Sequence, residues 1–157
     1  MNFRISGLPA APFAPLFSLS DTELAARNIA RKVANARPGF PCRVSLQDAE
    51  PGETLLLINY EHLSVASPYR SSHAIYVREN AQEARLAVNE VPEVLSSRLL
   101  SVRAFDTNGM MVAADVTPGT ELVAMIESLL TSDKASYLHV HNAKPGCFAA
   151  RVDRVQG

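Results

Sequence analysis

The stretch LLSVRAFDTNGMMVAADV, residues 99–116, decides the fold class. Two alternating apolar and polar runs flank Asn108-Gly109, the pair that supplies the positive φ values of a type I′ turn, so the stretch predicts a β-hairpin. Toward the C-terminus, Thr117 as N-cap and Pro118 as first helical residue open a helix near 118–132, with Leu122, Ile126, Leu129 and Leu130 as its core stripe. A second hairpin follows in YLHVHNAKPGCFAARVDR, residues 137–154. Hairpin, helix, hairpin, without strict strand–helix alternation, predicts an α+β fold with a mostly antiparallel sheet.

Toward the N-terminus, Phe3–Ile5 reads as a short strand, and Pro9, Pro12 and Pro15 exclude regular structure over Gly7–Phe17, whose apolar residues plug core surface. Ser20 and Glu23 form a capping box for a helix over 21–35, with Ala26, Ile29, Ala30 and Val33 as its apolar stripe. Cys42, Val44 and Leu46 alternate with Arg43, Ser45 and Gln47, the pattern of a half-buried strand. TLLLINYE, residues 54–61, reads as a central strand, 62–72 as a loop, 73–79 as a strand, and 80–97 as a loop with a helical turn. The expectation is one domain over 1–157: about six or seven strands packed by helices near 21–35 and 118–132.

The chain has 157 residues, 47% hydrophobic and 20% charged, the composition of a globular protein. Fifteen Lys plus Arg oppose sixteen Asp plus Glu with no basic stripe, which argues against a nucleic-acid partner. No apolar run approaches the roughly 20 residues that cross a bilayer, and the prolines near the N-terminus do not suit a signal segment. A cytoplasmic protein with two reduced cysteines and no membrane partner is expected. No Gly-rich phosphate loop, G-x-S-x-G elbow or paired-carboxylate spacing is present, so no cofactor is assigned.

Candidate site residues cluster in the last hairpin. Burying Leu138 and Val140 with Phe148, Ala150 and Val152 requires a loop of about five residues, Ala143 to Cys147. That register sets His139 opposite Arg151, His141 opposite Ala149 and Tyr137 opposite Asp153, on a face that is not the core stripe. His139 and His141, about 7 Å apart on one strand, are the spacing of a zinc or iron pair with Cys147 or a carboxylate as third ligand. No second metal motif accompanies H-x-H, so solvated or merely hydrogen-bonded histidines are expected and no metal is assigned. Cys147 beside histidine and arginine, with Asp153 orienting the imidazole, is a candidate nucleophile; a small buried filler is the competing reading. The loop Ser67–His73 offers Tyr69 and Arg70 for a carboxylate or phosphate. Glu61 and Asn59 read as partly buried, with Arg43 or Arg78 as the partner of Glu61.

RPGFPCRVSLQDAEPGETLLLINYE (37–61), SPYRSSHAIYVRE (67–79) and HNAKPGCFAARVDR (141–154) together resemble the domain of unknown function 1203 family of small bacterial proteins, essentially from end to end. The elements that carry the resemblance are Pro41-Cys42-Arg43, Pro51-Gly52-Glu53, Pro68-Tyr69-Arg70, His141-Asn142 and Gly146-Cys147-Phe148. His73-Ala74 departs from the Gly-Pro that other members carry there. The resemblance implies the architecture and a bacterial origin, and no activity. From the residues, the functional expectation is a domain binding a small anionic molecule through Tyr69, Arg70, His139, His141 and Arg151. The alternatives are a small enzyme using His141 or Cys147, with or without metal, and a homo-oligomer contact on the same face.

Overall fold

Residues 1–157 are described by a computed structural model, and the C-terminal half follows its sequence pattern. β5 (Leu99–Phe105) and β6 (Met111–Pro118) form the expected hairpin. Its turn is not type I′, because only Gly109 takes a positive φ, 74°. Instead the Asp106 carboxylate accepts from the backbone N–H groups of Asn108 and Met110 at 2.8 and 3.0 Å, an Asx bond that closes the turn without a second left-handed residue. Thr117 and Pro118 end β6, and a 3₁₀ turn, Gly119–Glu121, leads into α3 (Leu122–Leu130). The core side of α3 is Leu122, Ile126 and Leu130, as its periodicity predicts.

β7 (Tyr137–Asn142) and β8 (Phe148–Val155) form the last hairpin. With β1 (Asn2–Ser6) they complete a five-stranded sheet, order β1-β8-β7-β5-β6. A second sheet has the order β2-β3-β4, from β2 (Ile29–Val33), β3 (Thr54–Leu63) and β4 (Ser71–Arg78). Every strand pair is antiparallel. The fold is α+β, with eight strands in two sheets where one sheet of six or seven was expected.

Two elements depart from expectation. The capping box forms, with Ser20 Oγ accepting from Glu23 N and the Glu23 carboxylate accepting from Ser20 N, yet α1 covers only Asp21–Ala25. Asn28 turns to φ 57°, and 29–33 leaves the expected helix to pair with β3 as an edge strand. Of the expected stripe only Ile29 is buried, and Val33 is 59% exposed. The backbone of β3, whose Leu55 and Leu56 are both inaccessible, needs ladder partners on both sides. Two β-branched residues, Ile29 and Val33, weaken the competing helix. Cys42–Gln47 is likewise no strand. It is a tight loop in which Leu46 N–H donates to Cys42 O and Cys42 N–H to Gln47 O, both at 3.0 Å, and Leu46 takes φ 53°. Burial there does not alternate: Pro41 through Leu46 are all buried, Arg43 included.

One apolar core lies between a face of the five-stranded sheet and the helices α2 (Glu93–Ser96) and α3. A second lies on the three-stranded sheet, where Ile29, Leu56, Ile58, Ile75 and Val77 meet Leu24, Cys42 and Val44. Phe13 from the proline-punctuated segment closes it, with Leu8, Leu16 and Phe17 packed alongside.

Gly7 holds the Arg43 loop against this frame. Leu8 N–H donates to Arg43 O at 2.9 Å, and a Cβ at Gly7 would stand 2.6 Å from that same oxygen and 2.8 Å from Val44 O. Gly7→Ala is expected to lower stability by about 1–3 kcal/mol, the cost of overpacking against backbone. Urea unfolding checks this; an unchanged midpoint would contradict the close approach.

Candidate functional site

β7 is buried at all six positions. Leu138 and Val140 enter the main core, and the opposite face carries Tyr137, His139 and His141. The register begins as expected, with Leu138 opposite Val152 and His139 opposite Arg151. A bulge then changes it: Val140 faces Ala150, but His141 faces Phe148 rather than Ala149. Phe148, expected in the core, is thereby turned to the histidine side, its ring centroid 5.0 Å from that of His139, while Ala149 and Ala150 both join the core. An extra residue in one strand re-aims the side chains beside it.

The second sheet covers this face. β3 ends in a bulge between Glu61 and Leu63 that contains His62, whose ring stacks on Phe148 at 5.2 Å. The His62 ring also lies 4.9 Å from those of His73 and His141 and 5.6 Å from that of His139. All four histidines of the chain meet there. The sequence pattern places His62 in a loop, whereas β3 runs on to Leu63; His73 falls on a strand in both pattern and structure, but its departure from the Gly-Pro of other members gives no sign of a role. The usable signal was the count itself: four histidines, all on or beside strand patterns.

The remaining candidates lie around the cluster. Arg70 pairs with Glu61 at 3.1 Å, both side chains largely exposed, so Glu61 has neither Arg43 nor Arg78 as its partner. Tyr69 reaches the Phe105 ring edge-on at 6.3 Å. Arg151 forks onto Asp153 at 2.8 to 3.1 Å and lies over the Tyr137 ring at 4.1 Å, so Asp153 orients an arginine and no imidazole.

Burial keeps the cluster neutral. It pulls His139 and His141 from 6.5 down to about 3, and the charges of Arg103 and neighbouring histidines push the same way. His62 falls to about 4, chiefly by burial and then through His73, and His73 is lowered for the same first reason. His141 Nδ1 lies 3.0 Å from Gly146 O, which only an N–H can satisfy. That tautomer leaves Nε2 a bare lone pair, buried without a partner, as are His139 Nδ1 and His62 Nδ1. Arg103, half-buried beside them, has Ser101 Oγ at 3.3 Å and forms no ion pair.

A cleft of about 630 Å³ adjoins the cluster, with His73 in its wall beside Arg43, Arg98, Asn142, Lys144 and Cys147 and no carboxylate among its lining residues. Arg98 is held by Asp48 at 2.7 and 3.1 Å. Arg43 is 2% exposed and donates to Phe148 O at 2.7 Å, to Pro41 O at 2.6 Å and to Cys147 Sγ at 2.9 Å. The Cys147 sulfur therefore has Arg43 as its close partner, with Asn142 Nδ2 at 3.8 Å, rather than His141. Asn142 Oδ1 is buried with no donor.

The family model for the DUF1203 proteins, described as proteins of unknown function, matches residues 39–154. This chain belongs to the DUF1203 family. No curated protein and no solved structure matches it. The DUF1203 span contains all four histidines, Arg43, Arg103 and Cys147, while β1, α1 and β2 precede it. No helix is long and apolar enough to cross a membrane.

The buried neutral histidines set an acid limit on stability. Their folded pKa values lie below the ordinary 6.5, so below that pH the unfolded chain binds protons that the fold refuses. Stability is full above about pH 6.5 and falls as pH drops toward about 3. At about pH 5, His139 and His141 are each expected to cost on the order of 2 kcal/mol. Urea melts in chelating buffer at about pH 7.5 and about pH 5 measure it, and His139→Gln should reduce the difference. Equal stability at both pH values would contradict a neutral cluster.

Proposed function

We propose that this protein binds a small anionic molecule in the cleft walled by Arg43, Asn142, Lys144 and Cys147. The supporting observation is the charge of the lining: no carboxylate among its residues, Arg98 already paired with Asp48, and two cations, buried Arg43 and exposed Lys144, without a carboxylate partner. Coulomb attraction in a concave, partly desolvated wall favours a carboxylate or phosphate over a free cation that no side chain ligates. The volume suits a metabolite-sized ligand. Asn142 Oδ1 adds a requirement, since a buried acceptor without a donor is satisfied by a ligand carrying N–H or O–H near its charge. Of the residues first considered, Arg70 and Arg151 already hold carboxylates, so Lys144 takes their place as the anion contact.

Thermal melts with inorganic phosphate, succinate and the hydroxy acid malate test this reading. At least one is expected to raise the melting temperature, malate above succinate, with the shift lost in Lys144→Ala and kept in Arg70→Ala. No shift at tens of millimolar of any of the three would overturn the proposal, as would a shift unaffected by Lys144→Ala.

A catalytic variant of the same reading rests on Cys147. Its sulfur lies in the cleft against a buried guanidinium that has no carboxylate partner, so the chemistry on offer is addition of the thiol to a carbonyl carbon of the bound molecule, the S–C bond forming as the C=O π bond breaks and the thiol proton passing to the carbonyl oxygen. Cys42 is 1% exposed. Alkylation by iodoacetamide, followed by peptide mass spectrometry, should modify Cys147 at least about tenfold faster than Cys42, with the fold retained in Cys147→Ser. Equal slow labelling would remove the thiol from the account.

A further inference from the structure

We propose that His62, His73 and His141 form a site for one divalent transition metal of the zinc class, with a coordination position left on the side where His73 lines the cleft. One ring nitrogen from each of the three lies within 4.8 Å of the other two. His62 Nε2 and His73 Nδ1 face each other at 2.8 Å. Ligands at about 2.05 Å from a tetrahedral zinc stand about 3.3 Å apart, so opening this pair by about half an ångström makes room for the ion.

Two further observations point to a cation. The bond from His141 Nδ1–H to Gly146 O orients the ring and fixes the tautomer, as outer partners of metal-bound histidines do. The Nε2 left bare by that bond is buried with no donor to meet it, a cost that a metal removes. With three imidazoles and no carboxylate, the donor set suits zinc, cobalt, nickel or copper, and not magnesium or calcium.

His139, the partner of His141 in the H-x-H pair, is outside the set, its ring 6.4 Å from that of His141. The uncompensated charge of Arg103 disfavours a bare dication and favours one carrying an anion, such as hydroxide or a carboxylate, in the remaining position. The metal site stands whether or not the cleft binds a free anion.

The test is titration of the chelator-stripped full chain with cobalt(II) and zinc(II). Expected are one metal per chain, the visible absorption of low-symmetry cobalt bound to nitrogen, displacement of cobalt by zinc, and a higher melting temperature reversed by chelation. His73→Ala, a half-exposed position, is expected to weaken binding more than about 100-fold, beyond the 10- to 100-fold typical of an outer-shell change. His139→Gln and Cys147→Ser are expected to keep the stoichiometry and the cobalt spectrum. Absence of stoichiometric cobalt or zinc binding by the wild-type chain would overturn the proposal and leave a hydrogen-bonded histidine pair. So would binding unchanged in His73→Ala. Loss of metal in Cys147→Ser with retention in His73→Ala would place any metal elsewhere. None of these readouts depends on the anion melts, so the two proposals fail separately.

Discussion

Everything around the candidate site depends on β7 being buried on both faces. One face is ordinary, with Leu138 and Val140 in an apolar core. The other carries Tyr137, His139 and His141, and burying imidazoles without carboxylate partners is possible only if they stay neutral. That requirement explains the surroundings: aromatic Phe148 against the rings, Gly146 O accepting from His141, and two further histidines as neighbours in place of acids. Arg103 and Arg151 are permanent positive charges beside them, and both reinforce neutrality.

Two bulges make the cover possible. Regular pairing would keep Phe148 in the core, and the irregular end of β3 holds His62 outside the paired ladder. Each bulge costs some ladder regularity and re-aims a side chain at the place where the sheets meet. Arg43 bridges the same place from a different element. Its backbone N–H donates to Tyr76 O on β4 at 2.9 Å, and its guanidinium reaches Phe148 O and Cys147 Sγ at the end of the last hairpin. One buried arginine thus ties the small sheet to the large one and forms part of the cleft wall, so the cleft and the joint between the sheets share the same residues.

Much of the five-stranded sheet was legible in the sequence, because its signals are local. Alternation marks β5 to β8, spacing marks the stripe of α3, and the need to bury Leu138 with Val152 sets the register of the last hairpin up to the bulge. The helix expected over 21–35 illustrates the limit. Its capping box is real and forms, yet the helix ends after five residues, and from Ile29 the backbone demand of β3 claims the chain as an edge strand. Cys42–Gln47 alternates for a different reason: its polar positions, Arg43 and Ser45, are buried, and periodicity cannot distinguish a buried arginine from an exposed one.

By itself the sequence determined the α+β class, the order of the C-terminal elements and the presence on β7 of a second face that is not the main core. These follow from residue periodicity and turn chemistry, which act over a few positions. Only the tertiary structure decided what lies on that face: His62 and His73, brought from β3 and β4 across some seventy residues of chain. The reason is that contact between sheets is set by which surfaces remain unburied once each sheet has formed, a property of the assembled layers that no window of the sequence contains.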